Sequence, residues 1–238
     1  MYGLLARLRG ALDPLRSALV PLLSDPTALA VWGAFVAVSL AVLGWDLRER
    51  NPGTASLMKV VWALVVLYAG PFGLAVYWAS GRRQMARDSL WRRGARSTAH
   101  CFSGCGAGEV TGVVVLVGLL PIGSTPVTTF GTFALAYLFG YALTVGPLLQ
   151  EGESLSTAVR DALYTETPSI TVMEVVAIGT DILLAGEATI GTALFWGGLI
   201  TSLSLGFVAA YPINVALVAA GVKGGMGDPT ARSEASGA

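Results

Sequence analysis

The sequence predicts an all-α fold, a polytopic membrane bundle of about six transmembrane helices. Three observations lead there. Of the 238 residues, 54% are hydrophobic and 13% are charged, and the mean hydropathy is +0.67, which no ordinary soluble domain shows. Apolar runs of about twenty residues, the length a bilayer core requires, fall at 27–45, 57–80, 100–120, 128–149, 168–186 and 193–220. All but Lys59 of the fifteen Lys and Arg residues fall outside those runs.

Taken in order, residues 1–25 alternate Arg7, Arg9 and Arg16 with leucines and contain Pro14 and Pro21. They read as an amphipathic segment lying on the membrane surface, not as a cleavable signal peptide. The six-span domain covers 26–222. Its first link carries Arg48, Arg50 and Lys59 offset by Asp46 and Glu49, and its second span contains Tyr68-Ala69-Gly70-Pro71, which predicts a kink. Residues 82–97, rich in arginine, and 151–166, with Leu155, Val159 and Leu163 at four-residue spacing, both predict interfacial helices. The fifth span is interrupted by Glu174 and Asp181 and weakened by Gly179. Residues 223–238 are small, polar and glycine-rich, and predict a disordered tail. The preference of basic residues for the cytoplasmic side puts the amino-terminal segment and the 82–97 loop together, with both termini cytoplasmic. Trp45, Tyr77 and Trp78 stand near span ends as interface anchors.

The third span carries the chemistry. The single histidine and both cysteines fall within His100-Cys101-Phe102-Ser103-Gly104-Cys105, and Glu109 follows. At 100° per residue Cys101, Cys105 and Glu109 share one side of a helix, whereas His100 joins them only if the first turn unwinds. The cysteines are expected as free thiols, since helical side chains four apart are too far separated for a disulfide. Gly104, Gly108 and Gly112 form a seam for close helix packing, with a second copy or a membrane partner as a candidate occupant. On the fifth span Thr167, Thr171, Glu174 and Asp181 make a polar stripe that lipid does not tolerate, with Met173 beside it. Asn214 on the sixth span, after Tyr211 and Pro212, returns toward the same layer. A carboxylate at membrane depth is costly unless it is protonated, paired or meets a cation.

These blocks, Tyr68-Ala-Gly-Pro71, His100 through Glu109, Thr165-Glu-Thr-Pro-Ser169 leading to Met173-Glu174, and Tyr211-Pro-Ile-Asn214, resemble those of the domain-of-unknown-function 4396 family over about residues 28–224. The resemblance implies a small multi-pass protein of a bacterial or archaeal cytoplasmic membrane and carries no catalytic role.

The leading expectation is an intramembrane site for a soft transition-metal ion, bound and transported: Cu(I) through Cys101, Cys105, Met173 and His100, or Zn(II) with a carboxylate. Glu109, Glu174 and Asp181 would guide a cation or protons. The alternatives are a thiol-redox enzyme using Cys101 or Cys105 and a non-catalytic assembly subunit. Neither a nucleotide fingerprint nor a bis-histidine haem pair is present, and zero formal net charge argues against nucleic acid.

Overall fold

The computed structural model describes residues 2–85, 87–120, 122–186 and 188–230. The helices are α1 (Tyr2–Leu23), α2 (Pro26–Glu49), α3 (Ser56–Ser80), α4 (Leu90–Gly112), α5 (Thr125–Gln150), α6 (Leu155–Leu184) and α7 (Ala193–Ala219); α4 runs on through a π-helical stretch, Val113–Leu119. Among the described residues there is no strand, and six helices, α2 to α7, are long and apolar enough to cross a membrane.

Local chemistry sets the helix starts. The Asp25 carboxylate accepts from Thr27 N at 2.8 Å, and Pro26 opens α2. Ser89 and Ser154 cap α4 and α6 by accepting from Arg92 N at 3.3 Å and Thr157 N at 3.2 Å. These caps lie well ahead of the apolar runs, so neither predicted interfacial helix is separate. Residues 90–97 are the first turns of α4, and 155–166 those of a 30-residue α6 that continues through Pro168. Leu155, Val159 and Leu163 do line one outward side and stay exposed.

The predicted kink in α3 is a reversal. Gly70 has φ 53 and ψ −130, a region that a Cβ closes to other residues, and Pro71 then suits the first turn of a new helix. Trp62 on the incoming half packs edge-on against Tyr77 on the returning half, with ring centroids 5.3 Å apart. The backbones touch: a Cβ at Gly73 would lie 2.6 Å from Val65 O. Both ends of α3 therefore sit beside the end of α2, where the buried Asp46 carboxylate accepts from Asn51 Nδ2, Tyr77 OH and Arg82 Nη2, each at 2.7 Å. The tip of the hairpin reaches Trp32, 3.0 Å from a Cβ built at Gly70. From Asp46 to Trp32 is roughly 21 Å along α2, so the hairpin dips deep into the bundle.

α4 is the central helix. Its Gly104, Gly108 and Gly112 seam is filled by α5 of the same chain: a Cβ at Gly104 would come 2.8 Å from Gly140 Cα, one at Gly108 2.5 Å from Ala136 Cα, and one at Gly112 2.6 Å from Thr132 Cγ2. The seam predicted as a surface for a second copy or a membrane partner is thus occupied within the chain. On its other sides α4 meets the hairpin tip, through Phe102 and Tyr68 at 5.8 Å, and α7, through Phe102 and Phe207 at 5.2 Å.

α1 lies where α6 ends and α7 begins. Arg16 Nε donates to Leu183 O at 3.0 Å, and Leu23 abuts Gly197. Lys223 stands past the other end of α7. The described N-terminal helix and the Lys223 segment thus lie at opposite ends of the bundle, not at one face as the basic residues suggest. The reversal of α3 accounts for the difference, because it returns Arg82, Arg83 and Arg96 to the end that already holds Arg48, Arg50 and Lys59. The first eight residues of the predicted tail, 223–230, are not free chain. Residues 223–230 fold back onto the bundle, with Lys223 buried and Gly225 O accepting from Arg96 Nε at 3.0 Å, because a buried carboxylate draws the ammonium inward. Residues 231–238 and the side chains of Arg7 and Arg9 lie outside the described residues.

Candidate functional site

Three helices place a file of buried polar side chains through the bundle. α4 and α6 run in the same direction, pairing Cys101 with Ser169 and Cys105 with Glu174, while α7 runs back between them. Local sequence explains why these groups turn inward. Glu166, Ser169, Met173 and Ala177 recur every three or four residues on α6 with Glu174 beside Met173, and Ser97, Cys101, Cys105 and Glu109 every four on α4.

Glu174 is the centre of the file. It has no exposed surface, and neither of its carboxylate oxygens meets a partner at full hydrogen-bond geometry. Glu109 and Cys105 are its immediate neighbours, the two side chains near enough to share a proton with it. Toward the α1 end, Glu109 and Asp181 line a cavity of about 80 Å³ that also includes Thr129, Thr132 and Ser202. Such a volume, with that many polar walls, has room for more than one water. Toward the opposite end, Cys105 lies against Cys101, both free and fully buried, and the Ser169 hydroxyl is 3.6 Å from Cys101 Sγ. The file ends on Lys223, whose ammonium donates to Glu166 Oε2 at 2.7 Å, Asn214 Oδ1 at 2.8 Å and Ser169 Oγ at 3.2 Å. Ser97 Oγ donates to Asn214 Oδ1 at 3.1 Å and ties α4 into this end. From Asp181 to Glu166 the file extends roughly 22 Å along α6, most of a hydrocarbon core about 30 Å thick.

Not every predicted site residue joins the file. α4 is regular from Leu90 onward, so the first-turn unwinding that would bring His100 to the thiols does not occur. Its imidazole faces α5, with Nε2 3.3 Å from Thr144 Oγ1 and Nδ1 unbonded. Thr167 and Thr171 also turn to α5, bonding Tyr141 OH at 2.8 Å and Tyr137 OH at 2.6 Å. Met173 is fully buried but packs over Gly206 of α7. Asn214 stands at the Lys223 end, apart from the thiols. Among the described residues no group of three or more His, Cys, Asp and Glu side chains is gathered as a metal-ligand set.

Sequence reasoning missed Glu166, Ser169, Ser97 and Lys223. The first two stand in the Thr165–Ser169 block, and continuing the three-to-four spacing of Met173 and Glu174 backward through Pro168 would have found them. Lys223 carries no local signal, since glycines surround it.

A family model described as Domain of unknown function (DUF4396) matches residues 90–223. The chain belongs to the DUF4396 family. The match runs from the start of α4 to Lys223, so every residue of the polar file lies within the DUF4396 region, while α1, α2 and the α3 hairpin with its Tyr68–Pro71 block lie outside it. Neither the curated proteins nor the solved structures contain a match to this chain.

Proposed function

We propose that this membrane protein moves a small cation, the proton foremost, along the file between α4, α6 and α7, with Glu174 as the central acceptor. The observation that carries the reading is the state of Glu174: fully buried, with neither oxygen at full hydrogen-bond geometry, next to a second acid. An ionised carboxylate without a counter-charge in such a place costs several kcal/mol, so it binds a proton or a cation, and chains of acids within membranes serve as proton relays. Asp181, the cavity and Glu109 lead to it from one end. Cys105, Cys101 and Ser169 lead away toward the Glu166–Lys223 pair. The test is proton uptake by vesicles reconstituted with the purified chain, followed with an entrapped pH dye under an imposed potential. Native protein is expected to raise uptake well above empty vesicles and Glu174→Gln to return it to their level; equal rates for both proteins would discard the reading.

A second reading keeps Cu(I) as the cargo, on the observation that two free thiols lie side by side with Met173 buried on the facing helix. Thiolate and thioether suit that soft ion, whereas Zn(II) would want a fourth ligand that the orientation of His100 does not supply. Anaerobic titration with Cu(I) against a competing chelator decides it. Stoichiometric binding abolished in Cys101→Ser/Cys105→Ser supports copper, and weak binding shared by both proteins removes it. Burial of both thiols disfavours the thiol-redox alternative, because reactive cysteines are partly exposed.

A further inference from the structure

The Lys223 end of the file has the construction of a cation site with its own occupant built in. An ammonium has three N–H donors, and here all three are used, on Glu166 Oε2, Asn214 Oδ1 and Ser169 Oγ at 2.7, 2.8 and 3.2 Å. The cage does not owe its shape to Lys223 alone. Asn214 Nδ2 is committed to Ala210 O at 3.1 Å, which fixes its Oδ1 toward the site, and Ser97 donates to that same oxygen. The pair is buried, with side-chain exposures of 3% for Lys223 and 2% for Glu166.

The chain delivering the ammonium is unusual. Between Gly221 and Gly227 it takes positive φ at Gly221 (73°), Gly225 (79°), Met226 (61°) and Gly227 (73°); Met226 is the single non-glycine residue with positive φ among the described residues. A side chain held in that region costs about 1 kcal/mol or more, so the loop is held in place by its contacts and not by its own preference. Those contacts include the Lys223 cage, the Arg96 bond to Gly225 O and the bond from Lys223 N to Leu217 O.

We propose that the Glu166–Ser169–Asn214 cage is a binding site for a free ammonium-like monovalent cation, and that Lys223 is its tethered stand-in, plugging one end of the file. The plug role rests on the cation-conduction reading; the cage itself does not. Removing the tether exposes a site that a small cation with N–H donors fills, whereas a bulky quaternary ion without them does not.

The experiment is rescue of Lys223→Ala, measured as the thermal unfolding midpoint of the full-length detergent-solubilised chain in ammonium chloride or choline chloride at equal ionic strength. In choline the midpoint should fall by roughly 10 °C, as expected for one partner stripped from a buried pair. Ammonium should recover at least half of that loss while leaving the native protein unmoved. The double variant Glu166→Gln/Lys223→Ala lacks the stranded carboxylate and should show no ammonium effect. Where Lys223→Ala does not survive extraction in choline, the yield of monodisperse protein extracted in ammonium against choline is the readout. Equal midpoints or yields in the two salts, or an equal ammonium effect on the double variant, would overturn the cage. Since Glu174 takes no part in this assay, a failed proton-uptake test and a failed rescue are separate results.

Discussion

At the scale of single residues, the molecule sorts its polar groups by what each can reach. Asp46 and Arg96 are buried, yet each is satisfied: Asp46 by three donors, and Arg96 by the Asp88 carboxylate, Ser80 O and Gly225 O. Glu174 is not, and that contrast separates a structural tie from the group on which the proposed function rests. Much of this was legible in the sequence. The helical spacing of Cys101, Cys105 and Glu109, and the intolerance of lipid for Glu174 and Asp181, are enough to point those side chains toward protein. His100 could join the thiols only from an unwound first turn, and the Ser89 cap starts α4 at Leu90, so the imidazole keeps the direction a regular helix gives it. Lys223 was hidden because a lysine among glycines reads as solvated chain, and only the three-dimensional position of Glu166 reveals its partner.

At the scale of elements, hydropathy finds the long apolar helices but not how they begin or turn back. Gly70-Pro71 reads as a kink because one sequence signal, a breaker inside an apolar run, precedes both a bend and a reversal; the deciding facts are the φ of Gly70 and the contact between Trp62 and Tyr77. A Cβ at Gly70 would be strained by its φ of 53° and would press on Trp32 at 3.0 Å, so Gly70→Ala should cost about 1–3 kcal/mol. Gly179→Ala is the matched control. That glycine is exposed within α6 with nothing inside 4 Å of a new Cβ, and the change should leave stability unaltered or slightly raised. Midpoints of thermal unfolding for the two variants, side by side, check this. An equal effect would mean that the hairpin tip is not under the constraint described.

At the scale of the whole molecule, the reversal of α3 changes which segments share an end. Ser17 on α1 and Gln84 after α3 are exposed at opposite ends of the bundle. In a Cys101→Ser/Cys105→Ser background, a membrane-impermeant maleimide applied to intact cells should label one of Ser17→Cys and Gln84→Cys and spare the other until the cells are opened. Labelling of both from outside would contradict the arrangement. The same architecture gives the file its two ends, a polar cavity beside Asp181 and the buried Lys223–Glu166 pair, with Glu174 between them. The most direct test is proton uptake into vesicles by native protein, Glu174→Gln and Glu109→Gln under one imposed potential. The central role of Glu174 predicts uptake at the empty-vesicle level for Glu174→Gln and a reduced but measurable rate for Glu109→Gln. Native-like uptake by Glu174→Gln would contradict it.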